Sequence, residues 1–121
     1  MTTPSEIKFS SSFACNLTAI DIEHRDTHLI TAKHLFSQVQ EIQELPNGYS
    51  FRFPNDSATF LQTAKFVSNE RQCCTFFHFN LELKPENGPF WLHLTGQEGT
   101  KQLLEAEFGA QFDLQFGELR G

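Results

Sequence analysis

The stretch FHFNLELKPENGPFWLHLT, residues 77–95, limits what this chain can fold into more than any other. Phe77, Phe79, Leu81 and Leu83 alternate with His78, Asn80, Glu82 and Lys84, the period of a strand with one buried and one wet face. Pro85 to Pro89 breaks the run with turn residues, and Phe90 to Thr95 resumes it. Pairing Leu83 with Leu92 and Leu81 with Leu94 puts every aliphatic side chain on one face and sets His93 opposite Glu82 on the other. A slip of one residue would bury Asn80 and Glu82, so that register is rejected. The apolar face of such a hairpin needs a covering layer, which the rest of the chain must supply.

Helical periodicity supplies it. Thr18 and Asp21 suit a helix start, where the hydroxyl caps and the acid meets the positive end. Ile22, Leu29, Ala32, Phe36 and Val39 continue at helical spacing, so the expected helix is long, over residues 18–44, and stops at Leu45-Pro46-Asn47-Gly48. Tyr49 to Phe53 alternates as a strand ended by Pro54. Asn55 or Asp56 then caps a second helix, with Phe60, Ala64, Val67 and Cys74 near one face. After the hairpin, Thr95 or Gly96 opens a third helix bearing Leu103, Leu104 and Phe108, with Gly109 as its stop. Residues 110–116, AQFDLQF, alternate again as a fourth strand.

From residue 49 to 116 the order is therefore β-α-β-β-α-β. The expected fold class is α+β: a ferredoxin-like antiparallel sheet with helices on one face, plus a long N-terminal helix. A right-handed first crossover leaves room for the third strand between the first two. Residues 1–17 are expected to be an irregular arm, and 1–121 a single domain.

Composition narrows function by exclusion. Net charge is −6 with no block of Lys or Arg, so a nucleic-acid partner is not expected. No segment approaches the roughly 18 apolar residues of a membrane helix, and no apolar leader precedes Cys15, so a soluble, cytoplasmic protein without a membrane partner is expected. Fourteen Phe stand against one Tyr and one Trp; rings without a polar handle belong in a core. The sequence leaves oligomeric state open.

Chemistry concentrates in the cysteines. There are three, Cys15, Cys73 and Cys74, an odd number that fits poorly with a secreted disulfide framework. Glu70, Cys73 and Cys74 stand at i, i+3 and i+4 near the end of the second helix, where side chains are neighbours at about 5–6 Å. A nucleophilic thiol needs a lowered pKa, and a helix C-terminus opposes a thiolate by about 0.3–1 kcal/mol, with Glu70 adding to the effect. A metal ion replaces the thiol proton, and the same negative surroundings then help it; structural zinc binding is worth about 10 kcal/mol or more. The ligand set expected on these grounds is Cys15, Cys73 and Cys74 around a soft ion, Zn²⁺, Cu⁺ or Hg²⁺, with His24, His78 or Glu70 as a further ligand or support. Two bland readings stand beside it. Free cysteine is a small buried hydrophobe, the better reading for Cys74 alone. A disulfide from Cys15 to Cys73 or Cys74 would close a loop of about 58 residues for about 4 kcal/mol, although a reducing compartment opposes it.

The remaining ionisable groups read as structural. His24 and His28 are four apart and could chelate a metal, but with no third ligand expected nearby they read as a solvated face. Arg25 falls in the apolar stripe of the first helix and needs an acid, for which Glu70 or another acid is the expected partner. His93 and Glu82 read as a cross-strand pair. No Ser/His/Asp order, phosphate-cradling loop or paired-carboxylate signature is present, and the two glycines of Leu94-Thr95-Gly96-Gln97-Glu98-Gly99 serve a turn.

The stretch from Glu70-Arg71-Gln72-Cys73-Cys74-Thr75-Phe76-Phe77 to Gly88-Pro89 and Leu94-Thr95-Gly96-Gln97-Glu98-Gly99 resembles an uncharacterised family of small bacterial proteins. Its members carry E-R-x-C-C-x-F and then L-T-G-x-E-G. Ala14-Cys15-Asn16-Leu17-Thr18 and Gly48-Tyr49 match further parts of the pattern, so the resemblance runs from about Cys15 to Leu104. Thr75 stands where that family has proline. The resemblance implies a site at the cysteines and no named activity. The function expected is a thiol-based soft-metal binder, with a thiol redox sensor or cysteine enzyme, or a structural protein without metal, as alternatives.

Overall fold

A computed structural model describes residues 22–116. The helix start at Thr18, the arm over residues 1–17 and Cys15 lie outside the described residues. The elements run α1 (Ile22–Phe36), β1 (Glu41–Leu45), β2 (Gly48–Phe53), α2 (Ser57–Cys73), β3 (His78–Leu83), β4 (Phe90–Thr95) and α3 (Thr100–Phe112). The four strands form one antiparallel sheet in the order β1-β2-β4-β3. β4 lies between β2 and β3, in the place expected for it.

Three helices cover one face. Phe36, at the end of α1, is the hub: its ring meets Phe51 and Phe53 of β2, Phe66 of α2, and Phe108 and Phe112 of α3, at centroid distances of 4.9–5.5 Å. Most of these are edge-to-face contacts, the arrangement the ring quadrupole favours. Phe36, Phe51, Phe53, Phe66, Leu92 and Leu94 are all essentially sealed from solvent.

The strand preceding β2 departs from expectation. Residues 37–44 are not helix: Ser37, Gln38 and Val39 donate to Lys33, Leu35 and Phe36 carbonyls, closing α1, and Gln40 N then donates to Arg52 O. Glu41–Leu45 pairs with β2 through the two-residue turn Pro46-Asn47. A hairpin partner immediately downstream satisfies the backbone as a ladder, which outweighs the weak helical periodicity of this polar stretch. The fourth strand thus comes from before β2, while residues 113–116, expected to provide it, are not a strand. Phe112 ends α3, Asp113 stops it in the left-handed conformation at φ 57°, and Phe116 packs onto Tyr49 and Phe51. The helix passes through Gly109, and its start lies at Thr100 behind Gly99 at φ 100°. The ferredoxin-like order β-α-β-β-α-β is therefore not the one observed.

The hairpin register also differs. Leu83 pairs with Phe90, Leu81 with Leu92 and Asn80 with His93, two residues from the expected alignment. A shift of two leaves every side chain on its face, so alternation cannot detect it; the turn decides it. Here six residues, Lys84 to Pro89, make the turn, with Lys84 N donating to Pro89 O.

Gly48 opens β2 where the backbone of β4 passes so close that a Cβ would stand 1.9 Å from Leu94 O. Phe36→Ala should lower unfolding free energy by about 3–5 kcal/mol in denaturant titrations. Gly48→Ala should cost about 1–3 kcal/mol despite being a minimal enlargement.

Candidate functional site

Helix α2 begins where Asp56 accepts a hydrogen bond from Thr59 N at 2.8 Å. Its buried positions are Thr59, Thr63, Phe66, Glu70 and Cys73; of the face expected from hydrophobicity, Cys74 is buried and Phe60 and Val67 pack, partly buried, at the edge of the core. Thr63 can face the core because its hydroxyl donates to Thr59 O within the helix. The same face carries Glu70 and Cys73 inward. Glu70 is 7 % exposed, Cys73 3 % and Cys74 0 %.

Facing them from α1 is His28, 2 % exposed, stacked on Phe66 at 5.5 Å. His28 Nε2 lies 2.8 Å from Glu70 Oε1 and donates to it. This corrects one expectation, that His28 lies on a solvated face; Glu70, expected as one possible acid for Arg25, is hydrogen-bonded to His28. Position 28 falls four residues before Ala32 and eight before Phe36, on the core-facing stripe of α1, a signal the sequence did carry. His28 Nδ1 is buried with no hydrogen-bond partner.

Around the Glu70 carboxylate stand two sulfurs. Cys73 Sγ is 3.8 Å from Oε1, Cys74 Sγ is 3.2 Å from Oε2, and the sulfurs are 3.7 Å apart. Their states differ: Cys73 is a free thiol, and Cys74 is disulfide-bonded. Among the described residues, the ligand-type cluster is His28, Glu70 and Cys73, with one ligand atom from each lying within 4.8 Å of the others. It borders a recess of about 90 Å³ to which Glu107, Gln111 and Phe112 of α3 also contribute. A water needs about 10–15 Å³ of such space, so an ion with its own water fits.

Burial pushes the Cys73 thiol up to about 12, and the charges of Glu70 and, more weakly, Glu107 add to it. At neutral pH the sulfur keeps its proton. A thiolate 3.7 Å from a disulfide sulfur would attack it, but a protonated thiol does not.

Of the other expected ligands, His24 and His78 are exposed, and Arg25 is partly exposed on α1. None of the three belongs to the cluster. Cys74 belongs to the neighbourhood, but as a disulfide sulfur it is not a thiolate.

A second constellation extends the expected His93–Glu82 pair by a residue of another strand, Ser50. On the sheet face away from the helices, Ser50 Oγ is 2.6 Å from His93 Nδ1, and His93 Nε2 is 2.8 Å from Glu82 Oε1. Glu82 also accepts from Lys84, and Lys84 first, then His93, hold its carboxyl below the usual range. The three residues come from three strands, which only the register brings together. Ser50 is 1 % exposed, so no substrate reaches its hydroxyl, and the set is a cross-strand network. A larger open groove of about 600 Å³ beside Phe36 and Phe112 is lined by two acids, Glu41 and Asp113, with no thiol or imidazole.

Comparison with known proteins finds no matching family model, no matching curated protein and no matching solved structure. Among the described residues, no helix is long and apolar enough to cross a membrane.

Because folding raises the thiol from its ordinary 9.0 to about 12, the unfolded chain ionises first as pH rises. The stability held at Cys73 is complete below pH 9 and declines from there to about pH 12. Urea midpoints of the native protein should fall across that window, and less so for Cys73→Ala. Iodoacetamide at pH 7 should label native Cys73 far more slowly than the unfolded chain.

Proposed function

We propose that the protein binds a divalent metal of the zinc class at His28, Glu70 and Cys73, with Glu107 at the rim of the recess. The observation that carries this reading is the convergence, from two helices, of one imidazole, one carboxylate and one thiol within 4.8 Å, all buried. Packing alone does not call for three different ligand types in one place. A carboxylate, an imidazole and a free thiol sealed together are costly unless something compensates them.

The donor set favours zinc over the softest ions. Cu⁺ and Hg²⁺ select sulfur, whereas mixed S, N and O ligation with an open position suits Zn²⁺. Bonds of about 2.0–2.3 Å imply edges between ligands of about 3.3–3.6 Å in a tetrahedral site. The Glu70–Cys73 separation of 3.8 Å and the His28–Glu70 separation of 2.8 Å each need only a small side-chain adjustment. The fourth position falls to a water or to Glu107 across the recess.

The thiol-enzyme alternative needs a thiolate at rest. The acids that attract a cation are the same ones that keep the proton on Cys73, so the environment supports the ion and opposes the nucleophile. The resemblance of Glu70-Arg71-Gln72-Cys73-Cys74 to the double-cysteine family points to the same element, and a soluble, cytoplasmic setting suits the net charge of −6.

Native mass spectrometry and calorimetry of metal-free protein with Zn²⁺ should show a one-to-one adduct. Affinity should rise with pH through the neutral range, because the ion displaces the thiol proton. Cys73→Ser and His28→Ala should each weaken it about ten-fold or more, with Glu107→Gln doing less. Absence of a stoichiometric adduct would sink the proposal.

A further inference from the structure

We propose that the disulfide at Cys74 gates this metal site: opening it delivers a second thiolate to the ion, and closing it takes that ligand away. The proposal rests on the metal reading above and adds its regulation.

Cys74 Sγ is already in ligand position. It sits 3.2 Å from one oxygen of Glu70 and 3.7 Å from Cys73 Sγ, close to the edges of a tetrahedral zinc site with two sulfurs. Its backbone caps the C-terminal end of α2, with N–H donating to Glu70 O at 2.7 Å, so the sulfur needs no refolding to reach the ion. What withholds it is its covalent state. As a disulfide sulfur it has no proton to give Glu70 and no thiolate lone pair to give a cation. The oxidised site therefore offers one sulfur, one imidazole and one carboxylate.

The chemistry balances with a dithiol as reductant. The dithiol gives two electrons and two protons to the disulfide and becomes a cyclic disulfide itself; Cys74 and its former partner leave as thiols. The Cys74 S–H then donates to Glu70 Oε2. When a divalent ion enters, the Cys73 and Cys74 protons pass to solvent and the two thiolates bind with His28 and Glu70. A two-electron oxidant such as a peroxide reverses the change, re-forming the disulfide, and the ion is left with three ligands. By count, the sequence offers Cys15 as the other cysteine able to pair with Cys74 within one chain.

The test is an anaerobic Co²⁺ titration of the full chain, as the disulfide and after dithiothreitol treatment and desalting, followed by competition with Zn²⁺. The reduced protein should show a sulfur-to-cobalt charge-transfer band about twice as intense per bound ion, since two thiolates ligate in place of one, and should bind about ten-fold or more tightly. Cys74→Ser should bind at the oxidised level whether or not reductant was used, and Cys15→Ser at the reduced level without it. Equal band and affinity in the two redox states of the unmutated protein, which needs no variant to fold, would overturn the gate. If that equal binding is still lost in Cys73→Ser, the metal site stands without regulation. If neither state binds Co²⁺ or Zn²⁺ stoichiometrically, the metal reading falls and the gate with it. A loss of the reduced-state gain in Cys15→Ser would make Cys15 the added ligand and refute the role given to Cys74.

Discussion

A carboxylate that folding removes from water needs partners, and Glu70 is the residue on which the organisation of this protein turns. At 7 % exposure it accepts from His28 across the α1–α2 contact and stands against both cysteine sulfurs. Isolated in an apolar core such a charge would be untenable, while a hydrogen-bonded pair is tolerated. The pairing fixes how α1 lies on α2, because His28 must reach Glu70 while stacking on Phe66, and Phe66 in turn meets Phe36. The aromatic hub and the polar cluster are thus adjacent parts of one packing problem.

That carboxylate also sets the temperament of the sulfurs. Burial first, and the Glu70 charge after it, hold the proton on Cys73, so it is quiet toward electrophiles. A cation reverses the balance, because it is attracted by the very charges that suppress the thiolate. The vicinal cysteines therefore divide their roles by covalent state: one is a free thiol and one is in a disulfide, 3.7 Å apart around the same acid.

On the opposite face of the sheet, Ser50, His93 and Glu82 show how a familiar catalytic ordering arises without catalysis. Three polar residues on neighbouring strands bond because the register sets them side by side, and burial of the hydroxyl closes the site to substrates. Accessibility, more than the identity of the residues, separates a network from an active site.

Much of this was legible in the chain itself. Strand alternation at 77–83 and 90–95, the Asp56 cap, the antiparallel sheet with helices on one face and the placement of β4 between β2 and β3 all follow from local pattern and chirality. The i, i+3, i+4 spacing likewise placed Glu70, Cys73 and Cys74 as neighbours at the end of α2. Period-two alternation defines a register only to within an even shift, so the offset of two in the hairpin was beyond its reach; turn length and a backbone hydrogen bond chose between the two. The fate of Glu41–Leu45 was likewise undecided locally, because a short polar stretch takes the state its neighbour stabilises, and β2 offered a ladder. His28 lay on the inward stripe of α1, but a histidine carries no mark in sequence that says whether a buried acid awaits it. Only the folded chain, by bringing residues 42 positions apart to 2.8 Å, made that pair and gathered an imidazole, a carboxylate and a thiol within 4.8 Å.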